Sequence, residues 1–444
     1  MSCNWVTRKL DDLISIKHGF AFKGEFFTDK ETYNYLVTPG NFAIGGGFKG
    51  DKFKYYNGPV PDNYILEVGA LVVTMTDLSK QADTLGYSAL IPEIEGHRIL
   101  HNQRVGLVEN ISNEIDKEFL YFLLRSKEYR HYVVSGATGT TVKHTSPTKI
   151  LSYEFQLPPL DIQREIAKNL IALEKKITVN FDTNEILEEM AQAIFKSWFV
   201  NFDPVKAKMN GGQPEGMDAA TASLFPEKLV ESELGLIPEG WDIGSIEDVT
   251  SKVFSGGTPA TKNEDFWGGD LPWFSSGETR NNFIIGTEKY ITEAGVRGSS
   301  TKASAYGDVL IASAGQGHTR GQTSFNSIDC YINQSVVALR AAGNVSAYWL
   351  YYNLERRYDE MRSVSDSHSS RGSLTTKLLK GMPAIIPSKE IVIAFDRIVE
   401  SLVRKQVANS NQNEDLSALR DTLLPKLLSG EIELGNTEKL VEVS

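Results

Sequence analysis

The sequence predicts a mixed α/β protein: two globular modules separated by two long helices packed as an antiparallel coiled coil, its halves related by an internal pseudo-two-fold repeat. Three observations carry this expectation. Landmarks recur in the same order about 230 residues apart, each half holds short β-type runs bounded by glycine turns, and each half closes in an apolar heptad seam. The 444 residues, 41% hydrophobic, exceed what one core usually organises.

The repeat comes first because it sets the boundaries. Trp5, Leu10, Asp12 and Leu13 correspond to Trp241, Ile246, Asp248 and Val249, and Asn102-Gln103 to Asn333-Gln334. Leu120, Tyr121 and Leu124 match Leu350, Tyr351 and Leu354, while Lys149, Ile150 and Leu151 match Lys377, Leu378 and Leu379. The offset drifts from 236 to 228, as loop insertions require. These matches give a first module over 1–158 and a second over 241–387. Runs such as 70–74 and 308–313 read as strands.

A first spacer helix is expected over 159–202, opening after Pro158 and Pro159, which suit a helix entrance but not its interior. Its seam runs Ile166, Leu170, Leu173, Ile177, Asn180, Asn184, Leu187, Ala191, Ile194 and Trp198. In the second helix, over 388–430, the seam is Phe395, Val399, Leu402, Gln406, Asn409, Asn413, Leu416, Arg420, Leu423 and Leu427. Two asparagines fall mid-seam in both. A solvent-facing break in an amphipathic helix is one reading. Because the positions match, the other is that the helices pack together and the asparagines fix their register. At 1.5 Å per residue a helix from about 160 to 198 would be about 57 Å long, a ruler between the modules. The glycine- and proline-rich stretch 203–240 reads as a linker, Pro425 as a bend or end of the second helix, Gly430 as its stop, and 431–444 as a weakly ordered tail.

Composition narrows the class. The net charge of -11 argues at first against nucleic acid, but 1–160 carries 17 basic and 18 acidic groups and 241–387 carries 14 and 15. Most of the acidity therefore sits outside the modules. Cys3 and Cys330 are far apart, which supports neither a disulfide framework nor a cysteine zinc site. No basic-then-apolar start and no apolar run of about 20 residues is present, so a cytoplasmic protein with no membrane association is expected.

Catalytic motifs are missing. Leu157-Pro158-Pro159-Leu160 lacks the polar and aromatic ends of an amino-methyltransferase loop, and Ser255-Gly256-Gly257-Thr258-Pro259 lacks the G-K-[ST] that would cradle phosphate. Pro61-Asp62 with Glu67 lacks the lysine of a nuclease metal site. His97 and His101 have helical spacing but no intervening glutamate of the H-E-x-x-H kind, so no zinc site is expected there. No catalytic residue, metal or cofactor is expected in this chain.

Several strings resemble the specificity subunits of Type I restriction-modification systems: LPPLDIQREIA (157–167), FKSWFVNFDPVKAK (195–208), QPEGMD, SELGLIPEGW (232–241) and ALRDTLLPKLLSGEI (418–432). They span the chain in the family's order. The second copy departs where the first has LPPLDIQREIA, reading IIPSKEIVIAF (385–395) without the Gln-Arg pair. The resemblance implies two target-recognition domains that read an asymmetric bipartite site on double-stranded DNA. It also implies two bound modification subunits that carry S-adenosylmethionine and methylate adenine, plus restriction (translocase) subunits. Gln163 and Arg164 would then meet a partner at the helix entrance. The cluster of Phe195, Trp198 and Phe199 is either core beneath a module or part of that partner surface.

For DNA reading, polar glycine-containing loops are the candidates. Gln316, His318, Arg320 and Gln322 lie in 313–322, where arginine suits guanine and glutamine suits adenine. Ser370 and Arg371 lie in 369–373, and Thr140, Lys143 and His144 in its first-copy counterpart, 136–144. Thr76, Lys80 and Gln81 occupy 74–81, the first-copy place of the 313–322 loop. Asn102-Gln103 and Asn333-Gln334, shared by both copies, suggest a structural hydrogen bond. Two rival classes are a coiled-coil scaffold whose modules bind protein or carbohydrate, and an enzyme in its own right.

Overall fold

Each module joins its first strand to its last. Val6–Lys9 runs antiparallel to Glu154–Leu157, with Val6 opposite Leu157, and Asp242–Ser245 runs antiparallel to Pro383–Ile386, with Asp242 opposite Ile386. The computed structural model describes residues 5–50, 52–79, 81–315, 317–368 and 372–432. The chain forms two compact units, one of Met1–Ile177 with Asp415–Ser444, the other Thr178–Glu414.

Within the first unit, Ser15–His18, Val105–Glu109, Leu71–Thr74 and Ser88–Leu90 form one sheet in that order. The second unit repeats the order with Thr250–Ser255, Val336–Ala341, Val309–Ala312 and Thr323–Asn326, and adds Phe283–Ile284 at the edge. Parallel pairing joins Asn34–Val37 to Arg98–His101 in the first module, and in the second it joins Trp267–Phe274 to Cys330–Ile332 and Phe283–Ile284 to Thr323–Asn326. A Cβ on Gly19 would stand 2.1 Å from the Asn102 carbonyl oxygen, and one on Gly256 1.8 Å from that of Ile332, so both copies require glycine at this close approach. The central strands Leu71–Thr74 and Val309–Ala312 are buried at every position, as their β-branched and leucine runs dictate.

The long helices are Leu160–Lys196 and Lys389–Leu428. The first opens directly after Pro158 and Pro159. In the second unit Asn180 donates through Nδ2 to Asn413 Oδ1 at 2.8 Å, and Asn409 donates to Asn184 Oδ1 at 2.9 Å. Because Asn180 and Asn184 are the repeat counterparts of Asn409 and Asn413, the two bonds exchange under the repeat: a local two-fold axis passes through this layer, and the helices run antiparallel. Gln412, Ser410 and the Gln406 carbonyl complete the layer. A buried amide is costly unless its hydrogen bonds are made, so slippage by a turn would strand several polar groups. In the first unit, Ile166 and Leu170 share a core with Leu424, Leu427 and the module residues Leu10, Phe119 and Leu120.

Two expectations need correction. Pro425 does not end the second helix, which continues to Leu428 with Leu424 and Leu427 buried in the first unit's core. Gly430, with φ of +71°, provides the stop. Residues 203–240 are not a plain linker. They hold helices Asp203–Met209 and Ala219–Ser223 and a hairpin of Leu229–Ser232 with Gly235–Pro238, and they bury Val205, Phe225 and Ile237. The tail from 433 onward lies outside the described residues, as does Cys3. Cys330 is buried, which pushes its thiol up to about 12. His101 lies in the strand Arg98–His101 and His97 faces Glu31 at 3.1 Å, so the pair does not share a helical face. Among the described residues no helix is long and apolar enough to cross a membrane.

Glu188 of the first long helix is buried in the second unit. It accepts from Gln192 at 3.0 Å, Tyr352 at 3.1 Å and Gln406 at 3.3 Å. Burial raises its pKa, and these hydrogen bonds offset only part of the rise. An acid whose folded pKa is raised stabilises the fold below its unfolded pKa and loses that contribution as pH climbs through the folded value. The melting temperature of Glu188→Gln is therefore expected to exceed that of the wild type at neutral pH, the gap closing toward about pH 4. A gap independent of pH would show that Glu188 is not the titrating group.

Candidate nucleic-acid interface

In the first module the structure brings together the two loops singled out by their polar composition. Thr76–Asp77 pairs antiparallel with Lys143–His144, placing His144 opposite Thr76. Thr76 is buried, and its hydroxyl lies 3.1 Å from His144 Nδ1. Residues 138–144 fold into a tight hairpin, with Thr138 and His144 exchanging backbone hydrogen bonds of 3.0 and 2.9 Å. Gly139 has φ of +93°, and a Cβ there would stand 2.0 Å from the Val142 carbonyl oxygen, so no other residue fits the turn. The hairpin exposes Thr140 and His144; Lys143 is half-buried and makes no ion pair among the described residues. Gln81 is exposed, and Lys80 lies outside the described residues.

Asp77 organises the neighbouring turn. Burial would raise its pKa, yet Thr84 and Ser79 outweigh that and hold it below the usual carboxylate value. The Thr84 hydroxyl donates at 2.7 Å and the Ser79 N–H at 2.6 Å. Arg130, which the sequence reading missed, anchors the far side by donating to the carbonyls of Ala82 at 2.5 Å and Asp83 at 3.0 Å.

The second module handles the equivalent loop differently. Arg320 is buried, its guanidinium donating to the Asp366 carboxylate and the Gly372 carbonyl. The arginine expected to meet guanine thus closes the loop onto the helix Tyr358–His368, and that expectation is corrected: a desolvated, paired guanidinium has little left to offer a base. Arg362 and Tyr358 hold the same loop, donating to the carbonyls of Gly317 and His318, both at 2.7 Å. Neither was anticipated; the available signal was an arginine in the helix after the matched Leu354, as Arg130 follows Leu124. His318 is exposed, and Gln322 is half-buried, accepting from the Thr279 hydroxyl at 3.2 Å. Gln316, Ser370 and Arg371 lie outside the described residues. The shared Asn-Gln pairs are structural in part: Asn333 Oδ1 accepts from the Ser335 N–H at 2.9 Å, and Gln334 accepts from the Thr258 hydroxyl.

The partner residues separate. Gln163 is fully buried, accepting from the Asp116 N–H at 2.8 Å and donating to the carbonyls of Glu114 at 3.0 Å and Pro158 at 2.8 Å. It clamps the helix entrance to the module and cannot meet a partner. Arg164, one residue on, is 67% exposed with Asp116 3.9 Å away. Phe195, Trp198 and Phe199 are core. Phe199 stands 5.1 Å from Phe395 between ring centroids and Trp198 5.2 Å from Phe225, beside Trp241 and Trp349. Of the two readings of this cluster, the partner surface is the one corrected. The same helix instead exposes Val179, Ile186 and Met190 along one face.

The profile described as "Type I restriction modification DNA specificity domain" matches residues 3–189 and 238–412, one match in each half. The Type I restriction enzyme HindI specificity subunit of Haemophilus influenzae is 28% identical over 371 residues, covering 73% of this chain and 80% of that protein. The MjaIX specificity subunit of Methanocaldococcus jannaschii is 24% identical over 324 residues, covering 71% and 69%. The crystal structure of a Type I system S subunit from M. genitalium superposes with a TM-score of 0.58 at 18% identity, covering 96% of each chain, a likeness of fold. With matched profiles on both halves of a duplicated fold, this chain belongs to the Type I restriction-modification DNA specificity family.

Proposed function

We propose that the chain reads an asymmetric, gapped site on double-stranded DNA, each module taking one half-site and the long helices setting the interval. The observation that carries this is a pair of like frames with unlike loops. In the first module an Asp77-capped turn meets a glycine hairpin, whereas in the second an arginine-clamped loop leaves Gln322 and His318 at the surface. Equal frames presenting different side chains suit two different half-sites. Contacts fall to Thr140, Lys143, His144, Gln81, His318 and Gln322, together with Lys80, Gln316, Ser370 and Arg371.

Two modification subunits dock along the helices, where Arg164 and the exposed apolar face of Val179, Ile186 and Met190 offer surface, and restriction (translocase) subunits join the larger complex. The chain itself is non-catalytic; S-adenosylmethionine and adenine methylation belong to the partner. The complex works in the cytoplasm. Methylome sequencing of a host with and without this gene is expected to reveal one gapped, asymmetric motif methylated only when the gene is present. A methylome indifferent to the gene would overturn the reading and favour the scaffold class.

A further inference from the structure

The second module contains a polar cleft of about 350 Å³, bounded by residues 279–282, the loop after Val309–Ala312 and the junction between helices Ala347–Glu355 and Tyr358–His368. Arg280, Asn282, Gln322 and Glu355 line it, with His318 among the other lining residues. Most of these groups keep hydrogen-bonding capacity in reserve. Gln322 uses Oε1 toward Thr279, while its Nε2 has no partner among the described residues. Arg280 meets Glu288 through Nη2 alone, at 2.5 Å, and its side chain is 62% exposed. The Glu355 carboxyl is half-buried and makes no hydrogen bond or ion pair among the described residues. Burial, with the charge of Glu188 nearby, pushes its pKa up against a smaller opposing pull from Arg356. A desolvated carboxyl without an internal partner is costly unless something from outside satisfies it.

The repeat supplies an internal control. Leu124 matches Leu354, so Arg125 stands where Glu355 does. In the first module that position is sealed. Arg125 donates to the Gly45 carbonyl at 2.8 Å and to Glu174 at 2.5 Å. The glycine turn lies so close that a Cβ on Gly46 would stand 2.5 Å from Arg125 Cγ. One copy fills and neutralises the position, while the other leaves it open, acidic and unpaired.

We propose that this cleft is a base-reading subsite, taking the edge of a nucleobase that carries an exocyclic amino group, cytosine or adenine. Glu355 accepts from the amino group, and Gln322 and Arg280 contact the adjoining edge, in line with the donor and acceptor pattern of the major groove. The inference rests on the second module being a half-site reader, and it makes that module's specificity depend on residues with no functional counterpart in the first.

The test uses the full chain co-expressed with its host's modification subunits and reads the methylome of R280A and E355Q, with thermal melting of each chain as the folding control. Methylation of the wild-type motif is expected to fall about ten- to a hundredfold, or the preference at one or two positions of one half to relax, while the other half and the gap stay as they were. If E355Q melts early, R280A on the exposed rim decides. An unchanged motif at unchanged occupancy in the folded variants overturns the cleft. A wild-type chain that directs no gapped motif overturns the reading beneath it, and the cleft with it.

Discussion

Glu174→Ala is expected to lower the unfolding free energy of the first unit by about 3 kcal/mol, the lower end of what removing one partner of a buried ion pair costs. Glu174 accepts from Arg125 at 2.5 Å and Tyr121 at 3.0 Å, with Arg420 of the second long helix at 3.5 Å. Arg125 has only 3% of its side chain exposed, so without Glu174 its charge stays buried beside the Tyr121 ring, 4.7 Å from the centroid. The large term is that stranded cation, not the pair's net attraction. Glu174 itself is 24% exposed, which is why the lower end applies: water can reach part of the vacated site. Denaturant unfolding of the full chain checks it. Adding Arg125→Met to Glu174→Ala should restore much of the loss, because no charge then remains to be desolvated. A loss below about 1 kcal/mol in the single variant would mean that Arg125 escapes to solvent.

The largest functional effect is expected from exchanging residues 1–158 for an unrelated first module of the same family. One half of the methylated motif should change completely, while the other half and the gap persist. The expectation follows from how each module closes on its own strands, Val6–Lys9 with Glu154–Leu157 and Asp242–Ser245 with Pro383–Ile386, so that neither borrows a strand from the other. Methylome sequencing again provides the readout. Simultaneous change in both halves would sink the modular account, and loss of all methylation would be traced by testing whether the chimera still co-purifies with the modification subunits.

Much of this protein could be read before any coordinates. Heptad spacing located both long helices, and the paired asparagines announced their partnership because buried amides at matched positions must find hydrogen-bond partners across the seam. The polar loops 74–81 and 136–144 were also legible, and the structure joins them in one small sheet. Side-chain commitments were not legible. Gln163 and Arg164 are neighbours in a single string, yet a turn of about 100° per residue sends one into the module and the other into solvent. Val205 and Phe225 are isolated apolar residues in a glycine- and proline-rich stretch, with no periodicity to betray that they are core.

By itself, then, the sequence determined the duplication, the modules and the helix pair, which are written in local spacing repeated at long range, and its strings pointed by resemblance to the family. Only the tertiary structure decided what each polar side chain does. Arg320 finds Asp366 and Gly372, 46 and 52 residues away, and Glu355 finds no hydrogen bond or ion pair among the described residues. Periodicity reports which face of an element is apolar, but a loop residue's partners come from segments that folding alone brings near, and whether a charge is spent inside or left for a ligand depends on them.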